Sequence, residues 1–172
     1  YSIGGNIAFV QSEVTGLGKG GEPVLSGYVQ FANANAAKTD VGHPLASFFG
    51  YVTDGIFQTP EEVEAAAFQN DATAPGDIRF KDLDGNGVIN DLDRDYIGSP
   101  HPDFTYGINL MLGYGGFDLS ACFNGSQGNG LYNYNKIYSD FPSFFDANRS
   151  TRVNDSWRPD NTDASLPALS QS

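Results

Sequence analysis

Six oxygen donors at fixed spacing make residues 82–93, Asp-Leu-Asp-Gly-Asn-Gly-Val-Ile-Asn-Asp-Leu-Asp, the stretch with the clearest chemistry. Asp82, Asp84 and Asn86 hold positions 1, 3 and 5 of a twelve-residue loop. Val88 at position 7 offers its backbone carbonyl, Asn90 stands at 9, and Asp93 closes the loop at 12. Gly87 falls at position 6, where such a loop turns sharply, and Ile89 at 8 is the apolar anchor. Calcium is a hard cation that takes roughly 6–8 oxygens at about 2.3–2.6 Å, and alternate residues of a tight loop can aim their oxygens at one centre. The spacing therefore predicts a structural calcium site made by Asp82, Asp84, Asn86, Val88, Asn90 and Asp93. The competing reading is an acidic turn that binds nothing, because Asp-Gly and Asn-Gly pairs serve turns for conformational reasons alone. The joint match of all six donors, the glycine and the isoleucine favours the metal.

Other reactive side chains carry less. The two histidines, His43 and His101, lie beside prolines in turn-like settings, with no Ser or Cys nucleophile context around them, and read as loop residues. The single cysteine, Cys122, excludes an internal disulfide and reads as a small strand residue. Paired carboxylates are plentiful, but the calcium loop accounts for most of them, so a hydrolase is disfavoured and no catalytic residue is assigned. A net charge of −12 argues against nucleic acid and against anionic membrane surfaces as partners.

The elements that would position the loop are mostly extended. The chain has 172 residues, enough for one domain, with 21 Gly, 13 Phe and 9 Tyr, a mixture that favours strands and turns over bundles. No apolar run reaches the length of a transmembrane helix. Residues 1–14 alternate Tyr1, Ile3, Ile7 and Phe9 against Ser2, Gly4, Asn6 and Ala8, and read as a strand interrupted at Val10. The opening Tyr1-Ser2-Ile3-Gly4 looks like the middle of a strand, so a piece of a longer protein is expected. Residues 15–42 read as loop with a short strand at 24–31. Residues 42–58 form a partly extended segment whose Phe48, Phe49, Tyr51 and Phe57 need cover. Thr59-Pro60-Glu61-Glu62 announces a helix over 60–69, with Thr59 as N-cap, Pro60 at the first position, Glu62 completing a capping box, and Val63 and Ala67 facing inward. Ile78 to Phe80 is a short strand that delivers the chain into the calcium loop.

The second strong signal lies at 104–125. Phe104, Tyr106, Ile108, Leu110, Leu112 and Tyr114 alternate with Thr105, Gly107, Asn109, Met111 and Gly113. A two-residue turn follows at Gly115-Gly116. Then Phe117, Leu119, Ala121 and Phe123 alternate with Asp118, Ser120, Cys122 and Asn124, giving a β-hairpin with one apolar face. Its first strand is long enough to cross a bilayer at a tilt, and aromatics bound its aliphatic band as they bound transmembrane barrel strands. A soluble sandwich hairpin shows the same alternation. Residues 126–172 lose periodicity and read as a long loop, with scattered aromatics (Tyr132, Tyr134, Tyr138, Phe141, Phe144, Phe145, Trp157) and prolines at 142, 159 and 167. Those aromatics are packing groups or sugar platforms.

The calcium loop, with Asp in place of Glu at its last position, resembles the loops of dockerin modules. Longer strings carry a more specific likeness. GHPLASFFGYVTDGIFQTPEEV, PGDIRFKDLDGNGVINDLDRDYIGSPHPDFTYGINL, FDLSACFNGSQGNGLYN and SWRPDNTDASLP, in that order, resemble the C-terminal half of the SusC/RagA-like TonB-dependent outer-membrane transporters. The likeness covers nearly the whole chain, most specifically residues 42–131. It implies an all-β fold: antiparallel transmembrane strands that are part of a 22-stranded barrel, with long extracellular loops, one short helix and the calcium loop. It further implies import of glycans or peptides, a SusD-like surface lipoprotein as lid, energy from TonB through a part of the protein outside this chain, and a place in the outer membrane of a Gram-negative bacterium. Asn86 stands where that family often has Asp, which removes one charge and weakens the site.

The short Gly115-Gly116 turn fits the periplasmic side of a barrel, where turns are short. Residues 1–14 and 117–125 would then run outward and 104–114 inward, with 15–103, including the calcium loop, and 126–172 outside the cell. The alternative is a free-standing calcium-dependent carbohydrate-binding or adhesion module, which would bury the hairpin's apolar face against a second sheet of its own.

Overall fold

The computed structural model describes residues 1–30, 33–141 and 148–169. The chain is mostly β-structure in two compact units. The first takes Tyr1–Gly50 and Tyr96–Leu131, and the second takes Tyr51–Asp95 and the chain from Tyr132 onward.

The first unit holds a three-stranded antiparallel sheet of β1 (Ser2–Phe9), β8 (Phe104–Tyr114) and β9 (Phe117–Gln127), with β8 in the middle. The hairpin forms as its alternation predicts. Tyr114 pairs with Phe117 across Gly115 and Gly116, whose φ values of 58° and 86° make the turn that matches strand twist and that side chains resist. The second strand runs two residues further than expected, to Gln127, which still pairs with Phe104. β1 ends at Phe9, short of the expected residue 14. Its register sets Ile3 against Leu110, Ile7 against Tyr106 and Phe9 against Phe104, so the apolar faces of all three strands coincide.

Strands β2 (Val24–Val29), β3 (Ala34–Thr39), β4 (Ser47–Tyr51) and β7 (Arg94–Gly98) form a four-stranded sheet in that order. The stretch between 15 and 103 is thus strand-bearing and not loop alone. β3 escapes a reading of the sequence because Ala-Asn-Ala-Ala-Lys-Thr has weak strand propensity, yet Val29, Ala37 and Thr39 are buried. The expected end of β2 at Phe31 lies outside the described residues. Lys38 pairs with Asp40 at 3.0 Å and sits over the Phe49 and Tyr96 rings.

In the second unit β5 (Thr53–Ile56) pairs with β6 (Ile78–Phe80), and helix α1 spans Pro60–Ala65. The cap differs in one detail from the expected box. The Thr59 hydroxyl accepts from Glu62 N–H, but the Glu62 carboxylate reaches back to Gln58 N–H at 2.8 Å. The helix stops four residues before the expected Gln69, because Ala66 turns extended and Phe68 is taken into a bridge with Val88. Val63 and Ala67 are half-buried. The tail is more ordered than a loop. It holds a second short helix, α2 (Asn135–Asp140), and a 3-10 turn at Thr151–Asp155, so the expectation of a single helix is corrected. A buried Asp140 carboxylate binds the Arg152 guanidinium and ties those two segments together. Pro142, Phe144 and Phe145 lie outside the described residues.

Phe57 is the most deeply buried large side chain of the described residues. Gly76 donates to its carbonyl at 2.7 Å and accepts from Ala168 N–H at 2.8 Å, while Trp157 Nε1 donates to Gln58 Oε1 at 2.8 Å. The segment after Ser156 is therefore clasped to residues 57–76.

Candidate metal loop and membrane face

Residues 82–93 fold into a tight coil in the second unit. Asp82, at position 1, accepts from Gly85 N–H at 2.7 Å and from Gly87 N–H at 2.8 Å, drawing the loop around its carboxylate. Gly87 has φ of 82°, the sharp turn that its position predicts. The anchor at position 8 works through the backbone as well as the side chain. Ile89 N–H donates to the Phe68 carbonyl at 2.8 Å and Phe68 N–H donates to the Gly87 carbonyl at 2.9 Å, so the loop's far arm is laced to the chain beyond α1. Gln69 braces the near arm, donating to Ile78 O at 3.1 Å and accepting from Phe80 N–H at 2.8 Å.

Asp82, Asp84 and Asp93 each bring a carboxylate oxygen to within 4.8 Å of the others. Two oxygens on one calcium stand at most about 5 Å apart, so these three can share an ion. Three carboxylates are hard oxygen ligands, which suits calcium and not a thiolate-seeking metal. The other three predicted donors are engaged within the loop. Asn86 Oδ1 accepts from Val88 N–H at 2.8 Å and its amide donates to Asp84 Oδ2 at 2.7 Å. Asn90 Oδ1 caps Leu92 N–H at 2.9 Å, and its Nδ2 donates to the Val88 carbonyl at 3.0 Å. The geometry thus joins three of the six predicted donors and holds the remaining three in intraloop hydrogen bonds.

Asp93 is fully buried. It accepts from Asn90 N–H at 2.8 Å, from Leu83 N–H at 2.8 Å and from Asp84 N–H at 3.4 Å. Those donors, Asn90 foremost, hold its carboxyl below the usual carboxylate range against the opposing effect of burial. A residue that closes the loop from inside was visible in the sequence only as the twelfth position.

The histidines sit where turn residues sit. His43 stacks on Tyr96 with ring centroids 3.6 Å apart, and His101 Nε2 meets the Leu45 carbonyl at 2.9 Å. Cys122 is exposed on β9.

The apolar face of β1, β8 and β9 is the second candidate surface. Ile3, Leu110 and Ala121 share one row, as do Ile108 and Phe123, and Leu112 and Leu119. Aromatics close both ends, with Phe9 tilted 5.7 Å from Phe104 at one and Tyr114 opposite Phe117 at the other. Tyr106 lies across Gly125, where a Cβ would collide with its ring. These side chains stand open: Tyr114 is 90% exposed, Phe117 82% and Phe9 74%. A strand of 11 residues spans about 37 Å, or roughly 26 Å when tilted by about 45°, close to the apolar band of an outer-membrane barrel. No described helix is long and apolar enough to cross a membrane, which says nothing about strands.

No family model matches the chain. Two curated relatives from Formosa agariphila do. TonB-dependent receptor P3 is 36% identical over 126 residues, covering 73% of this chain and 12% of the relative. TonB-dependent receptor P26 is 30% identical over 127 residues, covering 74% of this chain and 13% of the relative. The chain spans about an eighth of the length of these relatives. With the likeness extending over nearly three quarters of its residues, in two receptors, the chain belongs to the TonB-dependent receptors.

Proposed function

We propose that this chain is a strand-and-loop segment of a SusC-like transporter in the outer membrane, which imports oligosaccharide or peptide with energy from TonB and a SusD-like lipoprotein as lid. It is not itself an enzyme. The observation that carries the reading is the exposed apolar face shared by β1, β8 and β9. A self-contained calcium-dependent module would cover such a face, since large apolar patches left in water drive association. Lipid covers it in a barrel, and the outer edges of β1 and β9, unpaired among the described residues, are where the rest of the barrel chain would continue the sheet. In this reading β8 runs inward, β9 outward, and residues 10–103 and those after Gln127 lie outside the cell.

The loop at 82–93 then serves as a structural calcium site. Asp82, Asp84 and Asp93 would hold the ion, and Asn86, the Val88 carbonyl and Asn90 would complete the shell by exchanging their intraloop hydrogen bonds. The ion would supply charge balance and order there.

The membrane reading is tested in the intact receptor with paired substitutions on neighbouring residues of one strand. Ile108→Lys places a charge against lipid and should cost about 2–4 kcal/mol near the midplane, seen as loss of folded, heat-modifiable barrel in the outer membrane. Asn109→Lys, on the opposite face, should assemble normally. Equal tolerance of both substitutions would sink the reading.

A further inference from the structure

The loop at 82–93 carries a second chemistry, one that needs no metal. The sequence holds three Asn-Gly pairs: Asn86-Gly87, Asn124-Gly125 and Asn129-Gly130. In such a pair the glycine nitrogen can attack the asparagine carboxamide, because no side chain shields it. The nitrogen gives up its proton and bonds to Cγ, the Cγ–Nδ2 bond breaks, and ammonia leaves with the proton. Water then opens the cyclic imide at one carbonyl or the other, giving aspartate or isoaspartate.

Two of the pairs are covered by packing. Gly125 lies in the β8–β9 ladder, and a Cβ there would collide with the Tyr106 ring. Gly130 N–H donates to the Ser99 carbonyl at 2.7 Å, and a Cβ on Gly130 would stand 3.0 Å from the Phe48 ring. Asn86 and Gly87 have no such cover. Both are exposed, and a Cβ on Gly87 would meet nothing within 4 Å. Hydrogen bonds hold them instead. Gly87 N–H donates to Asp82 Oδ2 at 2.8 Å and Gly85 N–H to Asp82 Oδ1 at 2.7 Å, so one carboxylate grips both glycine nitrogens. Taking the proton from Gly87 there would set an anion against a carboxylate. The Asn86 carboxamide is pinned at both ends. Its Oδ1 accepts from Val88 N–H at 2.8 Å and its Nδ2 donates to Asp84 Oδ2 at 2.7 Å. The nitrogen and the carbon that must meet are each tied elsewhere.

We propose that Asn86 is a modification site, converted through a cyclic imide with Gly87 to aspartate and isoaspartate when the loop opens, and that the grip of Asp82 on the Gly87 nitrogen keeps it unreacted in the folded receptor. Either product marks the loop permanently. Aspartate sets a second carboxylate against Asp84 where a donor stood. Isoaspartate adds a carbon to the main chain just before Gly87, whose carbonyl accepts from Phe68 N–H at 2.9 Å, and so disturbs that lacing.

The test follows the intact receptor at mildly alkaline pH, folded in detergent or unfolded by heat in guanidinium. Conversion at each asparagine is read by peptide mass, and isoaspartate by carboxyl methyltransferase labelling. In wild type, Asn86 should convert at least tenfold more slowly folded than unfolded, since only the open fraction reacts. Asp82→Ala and Asp82→Leu, the second keeping the branched shape without an acceptor, should each raise the folded rate at least tenfold, with isoaspartate among the products. Barrel folding is verified by heat-modifiable mobility. Gly87→Ala, read in the unfolded chain and so independent of folding, should slow conversion at least tenfold, because its Cβ shields the nitrogen. A smaller effect in any of these comparisons overturns the proposal. Aspartate without isoaspartate also overturns it, by marking direct hydrolysis. Asn129 should keep its wild-type rate in both Asp82 variants; a matching rise there assigns the protection to the fold as a whole and overturns the part given to Asp82.

Discussion

At the scale of single residues, Asp93 and Gly76 organise more than their exposure suggests. Asp93 is a buried carboxylate with three backbone donors, so its folded-state pKa lies below the unfolded one. A depressed carboxyl contributes stability that is present above the unfolded value and lost as pH falls through the folded one. The loop should therefore resist pepsin down to about pH 4 and open steeply below it, because the unfolded carboxyl titrates near 3.9. Asp93→Asn should abolish the steep acid step, and persistence of that step in the variant would assign it to another group. Gly76 is constrained differently. A Cβ at this position would stand 2.5 Å from the Trp157 ring and 2.6 Å from the Ala168 Cβ, on a backbone with φ of 95°. Gly76→Ala should cost about 2 kcal/mol or more through crowding and backbone strain, releasing the segment after Ser156. Accelerated amide exchange at Trp157 and Ala168, whose N–H groups bond Leu166 and Gly76, would register the release.

At the scale of elements, what the sequence revealed depends on how local the determinant is. The hairpin was legible because eleven-residue alternation and a Gly-Gly turn act on neighbouring residues. Its turn should be sensitive: Gly115→Val with Gly116→Val should cost about 1–2 kcal/mol per residue and slow barrel assembly in a refolding assay. Gly115→Asn should be neutral in the same assay, because an Asn-Gly pair adopts this turn readily. The six-donor spacing was legible, and three of its carboxylates, those of Asp82, Asp84 and Asp93, come together. What was not legible was set by partners distant in sequence. Helix α1 ends early because Val88, twenty positions on, competes for Phe68. β3 owes its place to sheet neighbours and not to Ala-Asn-Ala-Ala-Lys-Thr itself. The order of the tail depends on Gly76 and on Gln58, the latter 99 positions before Trp157. The engagement of Asn86, Val88 and Asn90 within the loop also lies beyond any spacing rule.

At the scale of the whole molecule, the loop at 82–93 and the clasped tail belong to one compact unit, and the open apolar face belongs to the other. If calcium orders the loop, its removal should act on the second unit first. In the intact receptor, chelation should expose residues 82–93 to protease, with protection regained at millimolar calcium, while the hairpin stays resistant. Titration at millimolar calcium with no heat and no change in protection would remove the metal from the account.

The bond from Val10 to Asp103 has a consequence for how such a chain can vary. It pins together the two ends of a long excursion between paired strands, and Gly42 N–H to Val14 O and Val14 N–H to His43 O fasten its first arm again. Closing a floppy excursion of about 90 residues costs roughly 4 kcal/mol in chain entropy, and doubling it adds only about 0.6. An excursion whose own packing already brings its ends together removes most of that cost. The strands therefore place almost no limit on what is carried between them, and the excursion is free to be replaced wholesale while the sheet keeps its register.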